Sequence, residues 1–145
     1  VFEEPLKNDT TRLFKDVARN EKDYQYLVSA FNKGVIKGIS STHFNPEGTL
    51  TREQAATIMI RALGLEGRVQ DSQLLLKYSD RNQVSEYAKA SVIEATRIGL
   101  MQGNTNGQFN PKGKLSRAEA AIVVSRFLDY LNGDLKNNYQ DILFY

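Results

Sequence analysis

Between residues 55 and 63 the apolar positions Ala55, Ile58, Met59, Ala62 and Leu63 fall at i, i+3, i+4, i+7 and i+8, which predicts a helix with one apolar stripe. The same phase returns 65 residues later as Ala120, Val123, Val124, Phe127 and Leu128. Each stripe follows the same start signal. Thr51 with Gln54, and Ser116 with Glu119, fit the capping box, in which a hydroxyl and a side chain three residues on satisfy orphan amides reciprocally. Ahead of each stripe lies another helical pattern, Leu27, Val28 and Phe31 ending at Gly34, then Val92, Ala95 and Ile98 ending at Gly99. Glycine just past a helix end takes the left-handed conformation that closes it. The segments 35–50 and 100–115, rich in Gly, Asn and Pro, read as turn-dominated loops in which Phe44 and Phe109 anchor the chain to a core.

These matches form a repeat. Gly34-Val35-Ile36-Lys37-Gly38 is echoed by Gly99-Leu100-Met101-Gln102-Gly103, and Phe44-Asn45-Pro46-Glu47-Gly48 by Phe109-Asn110-Pro111-Lys112-Gly113, both at an offset of 65. Upstream, Phe14-Lys15-Asp16 pairs with Tyr78-Ser79-Asp80 at an offset of 64. The expected organisation is an N-terminal extension over 1–13, a first helix–loop–helix unit over 14–65, a linker over 66–77 and a second unit over 78–131. Tyr139-Gln140-Asp141-Ile142 reads as the opening of a third unit over 139–145. A unit of this kind leaves its apolar stripe uncovered, so the copies are expected to pack on one another in an all-α fold.

Composition narrows the chemistry. The 145 residues carry 19 Lys plus Arg against 17 Asp plus Glu, a net +2 that gives no electrostatic footprint for nucleic acid. Without cysteine there are no disulfides, zinc–thiolate sites or thiol nucleophiles, and the single His43 excludes a histidine-based metal cluster. His43 faces Gln108 in the second copy, so it reads as a solvated loop residue. Gln102-x-Asn104-x-Asn106-Gly107 hints at a calcium loop, but Gly113 stands where a bidentate Glu is needed, so neither metal nor cofactor is expected. No apolar run approaches the roughly 20 residues of a membrane helix. No pair of acids is singled out by spacing for glycosidase chemistry, so no catalytic residue is assigned.

Phe14-x-Asp16, Gly34-x-x-x-Gly38, Phe44-x-Pro46 and Leu50-Thr51-Arg52-Glu53-Gln54 resemble the surface-layer homology (SLH) repeat. Tyr78-x-Asp80, Tyr87-Ala88, Gly99-x-x-x-Gly103, Phe109-x-Pro111 and Leu115-Ser116-Arg117-Ala118-Glu119 resemble it again. The resemblance implies extracellular modules of the bacterial cell wall and surface layer, usually three in tandem, forming a pseudo-threefold helical bundle. It implies anchoring through a pyruvylated secondary cell-wall polysaccharide bound in grooves between repeats. By position, the family's groove residues map onto Arg52, Arg117, Asp16 and Asp80, with Gly38 and Gly103 in the loop. Two departures stand out: the first copy has Thr-Arg-Glu-Gln where the family favours Thr-Arg-Ala-Glu, and the aromatic at Tyr87 is Lys22 in the first copy.

The residues add their own argument. Arg52 and Arg117 follow the capping hydroxyls, in the first helical turn, where the macrodipole disfavours a cation by about 0.3–1 kcal/mol. Twice-repeated placement there suggests a nearby anion. A ligand carboxylate would meet a planar guanidinium fork and free helix amides; alternatively, an acid of the neighbouring unit pairs with each arginine and locks the repeats together. Asp16 and Asp80 have a helix-capping reading beside the groove reading, and Gly38 and Gly103 a turn-geometry reading beside close ligand approach. Tyr87 either stacks on a sugar or simply packs. The expected function is non-catalytic wall anchoring; the alternative is protein–protein assembly of a surface layer, by self-association or with an additional SLH repeat.

Overall fold

A computed structural model describes residues 14–18, 20, 23–67 and 72–133. The N-terminal extension and the third-unit motif at 139–145 lie outside the described residues. Four helices are present among them: α1 (Tyr24–Asn32), α2 (Arg52–Ala62), α3 (Glu86–Arg97) and α4 (Arg117–Leu131). Two 3-10 segments, Ser72–Lys77 and Arg81–Gln83, lead into α3. The described residues contain no strand, only an isolated antiparallel bridge between Thr51 and Lys114. The all-α class expected from the periodicity is what the chain adopts.

The chain divides into two compact units, one up to Gly48 and one from Thr49. In the first, Phe14, Val17, Tyr24 and Val28 form a small core flanked by Leu27, Phe31 and Phe44. The Phe14 ring meets Phe31 edge-on at 5.3 Å between centroids and Phe44 at 5.5 Å. α1 ends as its glycine predicts: Gly34 has φ +70°, its amide donates to Phe31, and the Val35 amide donates to Ala30.

In the second unit α2 packs on α3 over a core that includes Ala55, Ala56, Ile60, Val92, Ala95, Leu100 and Phe109. α2 belongs by sequence to the first repeat, so this unit joins that helix to the whole second repeat. Both predicted capping boxes form, Thr51 with Gln54 and Ser116 with Glu119. Within the linker, Leu75 is buried while Leu76 is exposed.

The predicted stripes require one correction. On α4, Val123 and Phe127 are buried, but Val124 and Leu128 are 45% and 52% exposed. Their counterparts, Met59 on α2 and Leu63 just past its end, pack against the core. Periodicity marks a face as apolar; a second element must be present to bury it.

Candidate functional site

The site is built on loop 100–115 and the starts of α2 and α4. Its scaffold is the aspartate–aromatic motif. Asp80 does not cap the 3-10 turn that follows it; its two carboxylate oxygens accept from the amides of Phe109 (2.9 Å) and Asn110 (2.7 Å). Asp16 does the same in the first unit, accepting from Phe44 and Asn45 at 2.9 and 2.6 Å. The capping reading is therefore replaced: each aspartate staples the far end of its own loop. Burial raises the Asp16 pKa, but the amides of Phe44 and Asn45, with His43 nearby, outweigh it and hold the group below its ordinary value. His43 itself is exposed and meets Thr42.

The second loop glycine also has a different reason from the turn geometry expected. Neither Gly38 nor Gly103 has a positive φ. A Cβ on Gly103 would lie 2.7 Å from the Tyr78 ring and 2.7 Å from the Gln108 carbonyl. On Gly38 it would lie 2.6 Å from the Phe14 ring. The motif aromatic and its glycine thus pack directly on each other, which explains why both repeats carry the two together.

α2 begins against this loop. The Leu115 amide donates to Leu50, and the first free amides of α2 are taken by loop carbonyls: Arg52 N–H donates to Gly113 (2.9 Å) and Glu53 N–H to Pro111 (3.0 Å). The Gln54 amide donates to Thr51 Oγ1. The expectation that this helix start holds spare amides for an anion is corrected, because folding already satisfies them.

The Arg52 side chain is similarly engaged. Its Nε donates to the Phe109 carbonyl (2.8 Å), Nη2 to the Gln102 carbonyl (2.7 Å) and Nη1 to Glu119 Oε1 (2.7 Å). The guanidinium lies 5.1 Å from the centroid of the Phe109 ring. Of the side chain, 11% remains exposed. Glu119 serves two purposes, since its other oxygen accepts from the Ser116 amide in the capping box. The Ser116 hydrogen bonds, more than Arg52, hold the Glu119 carboxyl below its ordinary pKa. So the anion that makes sense of an arginine in the first turn is, for Arg52, an acid of the second repeat.

Open space remains beside this pair. A cavity of about 170 Å³ is lined by Arg52, Met101, Gln102, Gly103, Glu119, Ile122, Val123 and Arg126. Another of about 340 Å³ shares Arg52, Gln102, Gly103 and Glu119 and adds Asn104, Gln108, Phe109 and Asn110. Gln102, which the sequence offers only as the start of a weak calcium-loop pattern, lines both; its position between Gly99 and Gly103 is the signal that points to the groove.

Glu53, the residue that departs from the repeat pattern, is 3% exposed. Its carboxylate accepts from the Ser85 amide (2.9 Å), the Ser85 hydroxyl (2.8 Å) and Lys112 Nζ (2.6 Å). Burial alone would raise its pKa, but Lys112 and Ser85 bring it below its usual value. Tyr87 is 54% exposed and reaches this carboxylate with its hydroxyl at 3.4 Å, so it stands at the Glu53 cluster and not among the residues lining the two cavities.

Arg117 is placed apart from all of this. It is exposed, and no hydrogen bond or ion pair joins its side chain to another described residue. The structure therefore brings together Arg52, Gly103 and, through the loop, Asp80, while Asp16 and Gly38 belong to the first unit.

The S-layer homology domain model matches residues 13–56 and 77–121, together more than half of the chain. The chain belongs to the S-layer homology family. Related proteins include an endoglucanase of Bacillus sp. (strain KSM-635), 34% identical over 79% of this chain and 12% of that protein. The surface-layer 125 kDa protein of Lysinibacillus sphaericus is 31% identical over 85% of the chain and 10% of its own length. An S-layer protein of Bacillus licheniformis is 32% identical over 83% and 13%. The chain thus spans about a tenth of the length of these relatives. S-layer homology domains serve as cell-wall anchors of surface proteins, in keeping with the cell-surface location expected from the sequence. No helix of the described residues is long and apolar enough to cross a membrane.

Proposed function

We propose that the chain is a non-catalytic module that holds a surface protein to the bacterial wall by binding an acidic, pyruvylated secondary cell-wall polysaccharide in the groove beside Arg52. The observation that carries this reading is the pair of cavities that share Arg52, Gln102, Gly103 and Glu119. The smaller cavity is lined by two arginines, Arg52 and Arg126, and by one acid, Glu119, which pairs with Arg52. A ketal carboxylate suits that balance, because a guanidinium binds a carboxylate through a planar pair of hydrogen bonds. Arg52 shapes the groove, and Arg126 brings a second guanidinium to its wall. The test is retention of the chain on purified wall polysaccharide before and after mild-acid removal of pyruvate. Retention should fall sharply with the ketals gone; retention that ignores them, or none at all, would defeat the reading.

The second reading, protein–protein assembly, draws on the exposed flank of Val124, Leu128 and Leu131 on α4. Sedimentation over a range of concentrations separates the two, since assembly through that flank raises the mass and Leu128→Lys abolishes the rise.

A further inference from the structure

One polar group in the groove is left without a partner. Gln102 Nε2 is enclosed and makes no hydrogen bond. The backbone carbonyl of the same residue is engaged by Arg52, which fixes the Cα of Gln102 at the junction of the two cavities. The amide oxygen is not among the enclosed unpaired atoms and has no hydrogen-bond partner among the described residues, so it lies on the accessible side. An enclosed orphan N–H is rarer in folded proteins than an under-satisfied carbonyl. The terminal torsion of glutamine is broad and roughly two-fold, so a half-turn exchanges the two atoms and brings the N–H into the groove.

The surroundings indicate what that N–H would meet. Arg52 is neutralised by Glu119 at 2.7 Å, and the other polar side chains of the larger cavity are the amides Asn104, Gln108 and Asn110. Around Gln102 on that side there is no uncompensated charge among the described residues. We infer that Gln102 is a specificity residue of the groove, its amide donating to an uncharged oxygen of a bound sugar, a hydroxyl or an acetamido carbonyl. This rests on the anchoring reading and adds to it a contact independent of the acidic group. The first repeat has Lys37 at the matching position, so the amide is a property of the second repeat alone.

Titration calorimetry of the whole chain with purified pyruvylated wall polysaccharide, and with the same polymer after removal of pyruvate, tests the assignment. Gln102→Met keeps the volume and removes the donor; its affinity should fall about tenfold for the intact polymer, the worth of one hydrogen bond that is lost without replacement. Gln102→Glu keeps the shape but presents only acceptors at neutral pH, and should fall further. The melting temperature of ligand-free Gln102→Met should hold or rise, since an enclosed unpaired polar atom is gone in either orientation of the amide; a purely structural glutamine would lower it. Wild-type affinity in Gln102→Met would overturn this inference alone. No binding by the wild-type chain to either polymer would defeat the anchoring reading and this one with it.

Discussion

Thr51 and Ser116 open α2 and α4 with the same reciprocal cap, and an arginine follows each, yet the two arginines have opposite surroundings. Around Arg52 the second repeat has closed: loop carbonyls take the α2 amides, and three more protein oxygens take the guanidinium. Around Arg117 nothing of the described chain has closed, and the flank below it, Val124, Leu128 and Leu131, is open. The same motif is therefore a structural joint at one position and, among the described residues, uncovered at another. What decides is whether a following repeat lies against it.

Substitutions at the two starts should separate these states, and the largest effect falls on the closed one. Arg52→Ala strands the carbonyls of Phe109 and Gln102 and the Glu119 carboxylate, and should cost about 3 kcal/mol in denaturant unfolding. Next comes Glu53→Ala, which gives α2 the residue that α4 carries as Ala118. Ser85 and Lys112 lose their shared acceptor, and the expected loss is about 2 kcal/mol, measured the same way.

Acidification makes a milder version of the same comparison. Asp16, Glu53 and Glu119 all have folded-state pKa values below their ordinary ones. Their contribution is fully present above the unfolded carboxylate range and is lost as pH falls through the lower folded values. Thermal unfolding should thus be nearly flat from neutrality to the ordinary carboxylate range and weaken below it. Glu119→Gln should reduce that acid dependence. Least affected is Arg117→Ala, expected within about 0.5 kcal/mol of wild type by chemical denaturation. A cost matching that of Arg52→Ala would mean that the two helix starts are not in different states after all.

Much of this was legible in the chain itself. The capping boxes and helix-ending glycines depend on residues within a few positions, so local reading placed the starts of α2 and α4 and the ends of α1 and α3. The repeat and its family were equally visible. What could not be read locally were partners distant in sequence. Asp80 looks like a cap because it precedes a helix, but it is used by amides 29 and 30 residues later. Spare amides at the start of α2 follow from helix geometry alone, and only the approach of Gly113 and Pro111 removes them. Gly103 signals a turn, whereas the constraint is a tyrosine ring pressed on its α-carbon. Glu53 stands out in the sequence as a departure from the repeat, but its meaning lies in Ser85 and Lys112. Gln102 reads in the sequence only as part of a calcium-loop pattern that lacks its closing acid, whereas its meaning lies in an enclosed, unpaired nitrogen.

The joint at Arg52 also has a polarity. One repeat supplies the arginine and the next supplies Gln102, Phe109 and Glu119, so the mating surfaces are unlike. Heterologous contacts of this sort join head to tail and never face to face. A string of such units accordingly has a sense of travel, each joint pointing from the arginine of one repeat to the acceptor loop of the next.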